Sequence, residues 1–150
     1  MDSFQIRPAN PGDVGSLHQM LLELATEVDR SESISSSPDD LLHHGFGKNR
    51  RFDTLVIESS HQLVGFCLFF LTFSSWRGET GVYIQDLYVA PHTRKENLGK
   101  RLLEAAALKA QDDGATHLRL SLHTENQKAA EFYQHVGLLP QQHERIFEIN

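Results

Sequence analysis

The stretch from Tyr83 to Gly99, YIQDLYVAPHTRKENLG, concentrates residues that could do chemistry. It starts as an apolar strand and turns at Pro91. It then carries Arg94, Lys95, Glu96, Asn97 and Gly99 into a long helix that opens at Leu98–Lys100. The first-turn N–H groups of a helix lack intrahelical partners, and the dipole gives that end about half a positive charge, so such a loop can hold phosphate. The same pattern also fits an ordinary strand–loop–helix crossover with a basic surface loop. Other reactive residue types fall into no set with a known use. The nine histidines form no HExxH pair or Cys/His set, and no GxSxG elbow is present, so neither a metal site nor a serine nucleophile is supported. Cys67, the single cysteine, lies within the apolar run LVGFCLFFL and reads as a buried, inert thiol.

Elements able to position that loop can be read on both sides of it. Phe4–Arg7 alternates and stops at Pro8, as a short first strand would. Asn10-Pro11-Gly12-Asp13 supplies a cap, and Val14, Leu17, Leu21, Leu24 and Val28 then mark one helical face. Arg30 to Pro38 reads as a loop and Asp39–Phe46 as a short second helix. Thr54–Glu58, Leu63–Phe73 and Val82–Val89 read as antiparallel strands, the middle one apolar on both faces. After Gly99, Leu102, Leu103, Ala106, Ala107 and Ala110 form a core stripe that stops at Gly114. Leu118–Leu122 alternates and, following a crossover helix, is expected to run parallel to Val82–Val89. Thr124 and Gln127 read as a capping box for a helix that turns Ala129, Phe132 and Val136 inward and ends at Gly137. Arg145–Ile149 is expected to close the chain as a last strand.

Composition narrows the function classes. The 150 residues suit one domain with a sizeable core, and 39% hydrophobic with 23% charged residues marks a globular chain. A formal charge of −6 argues against nonspecific nucleic-acid binding and leaves room for a cationic ligand. No apolar run approaches the roughly 18–20 residues needed to span a bilayer, and MDSFQIRP lacks the features of a signal peptide. A cytoplasmic protein without a membrane partner is expected.

Three stretches carry a resemblance to a known family: YIQDLYVAPHTRKENLGKRLL, ENQKAAEFYQHVGL and, more weakly, LLHHGFGKNRRFDTLVIE with LVGFCLFF and SSWRGETGVYIQDLYV. In this order they resemble the GCN5-related N-acetyltransferase (GNAT) superfamily, most closely its diamine (spermidine/spermine) and thialysine acetyltransferase branch. The resemblance implies one N-acetyltransferase domain over 1–150 with an α/β (α+β) fold. That fold has a mixed six- to seven-stranded sheet, about four flanking helices and a splayed central strand pair. It also implies acetyl-CoA as co-substrate, no metal, and transfer to a small-molecule primary amine by direct attack in a ternary complex. Members are often homodimers. The alternatives are a protein or peptide N-acetyltransferase and a catalytically degenerate acyl-CoA-binding module.

The resemblance also assigns residues. Arg94, Lys95, Glu96, Asn97, Leu98, Gly99 and Lys100 match the loop whose backbone N–H groups bind the coenzyme pyrophosphate, with Asn97 in place of the first glycine. Asparagine tolerates the left-handed backbone that this turn needs. Leu87, Tyr88 and Val89 match the strand whose backbone aligns the thioester and pantetheine, and Asn126, Ala129 and Phe132 the helix beside that arm. Tyr133 matches the tyrosine that protonates the departing thiolate. Gln85 stands where related enzymes carry a glutamate base. An alkylammonium with a pKa near ~10 must lose a proton before it attacks, and glutamine can hold a water but cannot take that proton itself. Asp86 is the nearest carboxylate, pointing to the opposite face unless a bulge intervenes. Glu27, Asp29 and Asp86 are candidate cation-binding carboxylates, with solvated surface the better reading for the first two.

Overall fold

Residues 3–150 are described in the computed structural model of the chain. Strands β1 (Gln5–Pro8), β2 (Asp53–Ser59), β3 (Gln62–Ser74) and β4 (Glu79–Val89) pair as successive antiparallel neighbours. β5 (Ala115–Leu120) joins β4 in parallel, because helix α3 (Leu98–Asp112) carries the chain back to the end of the sheet where β4 began. Helices α1 (Val14–Glu27) and α2 (Pro38–Gly45) precede β2, and α4 (Gln127–His135) follows β5. Four helices and a mixed sheet match the expected class. Among the described residues no helix is long and apolar enough to cross a membrane.

The sheet separates two cores. Ile57, Cys67, Phe69 and Ile84 pack against Leu102 and Ala106 on the α3 side. Val56, Phe66 and Tyr88 pack against Leu17 and Met20 on the α1 side. β3 is therefore buried on both faces over its first half, as its sequence indicates. The chain is capped locally ahead of α1 and at the start of α2. Asn10 and Asp13 cap reciprocally ahead of α1, and Ser37 and Asp40 do so at α2. The Arg7 guanidinium donates to both Asp13 oxygens at 2.8 and 3.1 Å, which ties β1 to the start of α1 and holds the Asp13 carboxyl below its usual range.

Two expectations are corrected. Among the described residues the sheet has five strands rather than six or seven, because Arg145–Ile149 forms no ladder. Its alternation is present, but Ile146, Phe147 and Ile149 are 86–95% exposed, and a strand exists only against a neighbour's backbone. The expected capping box at Thr124 and Gln127 is also displaced. Asn126 is the cap, its side-chain oxygen accepting from the Ala129 amide at 3.2 Å.

Candidate active site

β4 contains the feature on which the site depends. Leu68 pairs with Asp86, but the next residue, Phe69, pairs with Ile84, so Gln85 is an extra residue in a bulge. Before the bulge Val82 and Ile84 face the α3-side core, and after it Leu87 and Val89 do, so the alternation has slipped by one residue. Gln85 is exposed. Asp86 is half-buried, and its carboxylate lies within electrostatic reach of Cys67 and of Tyr133 on α4. Burial pushes the Asp86 carboxyl up to about 6. The Cys67 thiol is pushed up to about 12, by burial first and Asp86 second, so it stays protonated and inert. Tyr133 is raised by burial, with the charges of Cys67 and Asp86 adding to it. A carboxylate that titrates nearer neutrality is a stronger base, and a phenol held protonated is a proton donor.

The pairing of β4 with β5 ends at Ile84 and Leu120, whereas β4 continues to Val89. Among the described residues the β5-facing edge of β4 thus has no strand partner through Leu87–Val89, which leaves an opening between the strands. This is the splayed pair that the sequence implied.

Beyond β4, Pro91–Glu96 makes a 3-10 turn, tightened by the buried Thr93 hydroxyl donating to the Ala90 carbonyl at 2.9 Å. Asn97 then takes a left-handed backbone, φ 59° and ψ 26°, doing the conformational work of a glycine. Its side chain does not cap α3, and the first backbone bond of the helix runs from the Arg101 amide to the Asn97 carbonyl. The amides of Leu98, Gly99 and Lys100 are left without intrahelical acceptors. A Cβ on Gly99 would stand 3.4 Å from the Phe132 ring, so α4 rests on the start of α3, with Tyr133 edge-on to Phe132 at 5.1 Å. The structure therefore brings Tyr133, Phe132 and the start of α3 together, with Asp86 within electrostatic reach of Tyr133.

Some expected residues are placed differently. Arg94 is held by the protein itself. Its Nε donates to the Val89 carbonyl at 2.8 Å, an Nη pairs with Glu27 of α1, and the guanidinium lies 5.9 Å from the Tyr88 ring centroid. The Tyr88 side chain is buried on the α1 side and donates its hydroxyl to Glu23 at 2.8 Å. Lys100 pairs loosely with Glu104 at 3.9 Å. The Lys95 side chain lies outside the described residues. Glu27, expected as free surface, is instead an anchor of the loop. Glu23 and Glu27 are one helical turn apart on α1, a spacing visible in sequence, but their partners lie 65 and 67 residues away.

A surface groove of about 490 Å³ lies elsewhere, between α1 and the β2–β3 turn. Its Asp13 and Glu58 are already paired with Arg7. Among the described residues no group of three metal-ligating side chains converges.

A strand pair that opens beside an uncapped helix start is the arrangement expected of an acetyltransferase. The sequence signature described as Acetyltransferase (GNAT) family matches residues 18–138, and the chain belongs to this family of N-acetyltransferases. Among curated proteins it is 32% identical over 145 residues to the thialysine N-epsilon-acetyltransferase of Sus scrofa, covering 91% of this chain and 85% of that protein. It is also 32% identical over 111 residues to the human spermidine/spermine N(1)-acetyltransferase-like protein 1, covering 69% of this chain and 16% of that longer protein. Among solved structures, an integron cassette protein from V. cholerae shares the fold with a TM-score of 0.81 at 18% identity, covering 99% of this chain and 93% of the other.

Proposed function

We propose that the chain transfers an acetyl group from acetyl-CoA to the primary amine of a small molecule, a lysine-like amino acid or a polyamine, by direct attack in a ternary complex. The observation that carries this reading is the opening between β4 and β5 beside the uncapped start of α3, with the half-buried Asp86 carboxylate within electrostatic reach of the Tyr133 phenol. Acetyl-CoA, when bound, supplies the acetyl thioester. The left-handed Asn97 and the uncapped amides of Leu98, Gly99 and Lys100 suit its pyrophosphate. The backbone of Leu87–Val89, which has no strand partner on the β5 side, suits the pantetheine arm, with Asn126, Ala129 and Phe132 on the facing helix.

Asp86 accepts a proton from the substrate ammonium, directly or through a water held by Gln85, which frees the nitrogen lone pair. As the new C–N bond forms and the C–S bond breaks, Tyr133 donates its proton to the sulfur and regains one from the amine nitrogen. Overall one proton is released, leaving through Asp86. Cys67, protonated and buried, is unsuited to carry the acetyl group, which favours direct attack. The branch of the family supports a small amine as acceptor.

A second reading, a degenerate acyl-CoA-binding module, is favoured by Gln85 standing where a glutamate base is usual. Acetyl-CoA-dependent thiol release separates the two, measured over polyamines, lysine and its sulfur analogue, aminoglycosides and short peptides with a no-amine control. Release with one class of small amine supports the transferase reading. Acetyl-CoA binding without release on any amine supports the module.

A further inference from the structure

The sheet face turned away from α3 carries a second set of residues beside the bulge. Tyr83 of β4 pairs in register with Arg119 of β5, one residue before the ladder ends. Ile84 faces the α3-side core, so Tyr83 and Arg119 face the other way. Two contacts agree with that assignment. The Tyr83 ring lies 5.4 Å from that of Phe70 on β3. The His117 ring covers Gly81, where a Cβ would come within 2.4 Å of Nε2. The core on the α1 side is centred on Val56, Phe66 and Tyr88, so this neighbouring patch stays accessible. Phe70 and Tyr83 are half-buried there, and Gln85 and Arg119 are exposed.

Across this patch the Arg119 guanidinium meets the Glu144 carboxylate at 2.5 Å, with side chains 56% and 67% exposed. An ion pair so open to water does little for stability. What it offers is a donor fork and an acceptor side by side, the charge complement of an amino acid's α-carboxylate and α-ammonium. Tyr83 and Asp86 are three residues apart, roughly 10 Å along a regular strand and less across a bulge. A lysine-type side chain spans roughly 6 Å from Cα to its amine by standard bond lengths, and the long Arg119 side chain covers the rest. The Phe70 and Tyr83 rings would flank the apolar stem. A polyamine has a second ammonium for Glu144 but no carboxylate for Arg119, so it satisfies only half of the pair and leaves the guanidinium without its anion.

We infer that Arg119 and Glu144 form the head-group subsite of the acceptor site, selecting an amino acid with a terminal side-chain amine over a polyamine. This rests on the transferase reading above. The experiment compares kcat/KM for lysine and for cadaverine, which has the same amine and stem without the carboxylate, in the wild type and in Arg119→Gln. The expected result is a wild-type preference for lysine and a fall of tenfold or more in the lysine-to-cadaverine ratio in the variant, as loss of a charge-assisted contact requires. An unchanged ratio overturns the inference. If Arg119→Gln does not fold, as judged by circular dichroism, the wild-type ratio decides: lysine no better than cadaverine or spermidine overturns it. Failure to acetylate any amine overturns the transferase reading and this inference with it, whereas efficient acetylation of polyamines alone removes only this inference.

Discussion

Replacing Asp86 with asparagine removes a carboxylate that the β4 bulge draws into a half-buried position. The folded protein moves that carboxyl from 3.8 to about 6. Two pKa units at about 1.4 kcal/mol each mean that the ionised form opposes folding by about 3 kcal/mol. The sign follows from proton counting. Between about pH 4 and pH 6 the native state holds a proton that the unfolded chain has lost, so stability falls as pH rises through this window and levels off above it. Asp86→Asn is free of that charge. A buried amide still needs partners, so the net gain above pH 7 is about 1–2 kcal/mol. For a chain of this size that raises Tm by roughly 2–8 °C, a difference that closes below about pH 4. Activity moves the other way, with kcat/KM falling by about 10²–10⁴ on loss of a general base. The wild-type acid limb near pH 6 should disappear as well. Thermal melts from pH 4 to 8 and a pH–rate profile check both effects. Equal Tm values across that range, or an acid limb that survives in Asp86→Asn, would refute the assignment of Asp86 as the buried base.

Tyr133→Phe should lower kcat by about 10²-fold through loss of the proton donor. Acetyl-CoA affinity by calorimetry should hold within about twofold, because the phenol is assigned to chemistry rather than to the phosphate cradle. Asn97→Gly keeps the left-handed turn and clears a side chain from beside the Leu98 and Gly99 amides. Acetyl-CoA should bind more tightly, with stability changed by less than about 1 kcal/mol. Glu27→Gln should also leave stability within about 1 kcal/mol, because the ion pair with Arg94 is half-exposed on both sides. The released Arg94 charge should tighten acetyl-CoA binding at low salt, a gain that fades as ionic strength rises. A binding constant insensitive to Glu27 would show that Arg94 does not face the anion.

The sequence was legible where a local pattern determines local structure. The α1 and α3 stripes, the apolar β3 and the turn at Pro91 all stand as read, and the left-handed Asn97 was anticipated from its place in the loop. The β4 bulge was not legible, because YIQDLYV alternates equally well with or without an extra residue at Gln85. Only the register against β3 reveals the extra residue and the face that Asp86 takes. Arg94 was read as part of the pyrophosphate loop, but the tie of its side chain to Glu27 spans 67 residues and no local signal predicts it. Arg145–Ile149 shows the reverse failure: the alternation is correct, yet no backbone partner receives it. At α4 the capping-box spacing at Thr124 was outcompeted by Asn126, which sits three residues before the amide that needs an acceptor.

Acetyl transfer to a small amine is tested most directly by mass spectrometry of the amines themselves after incubation with the protein and acetyl-CoA, with lysine, its sulfur analogue and spermidine in one mixture. The account predicts an acetyl group on the terminal amine of the amino acids, growth of that product with time, and no acetylated protein when amines are withheld. Unmodified amines in the presence of bound acetyl-CoA, or an acetyl group lodged on the protein, would contradict it.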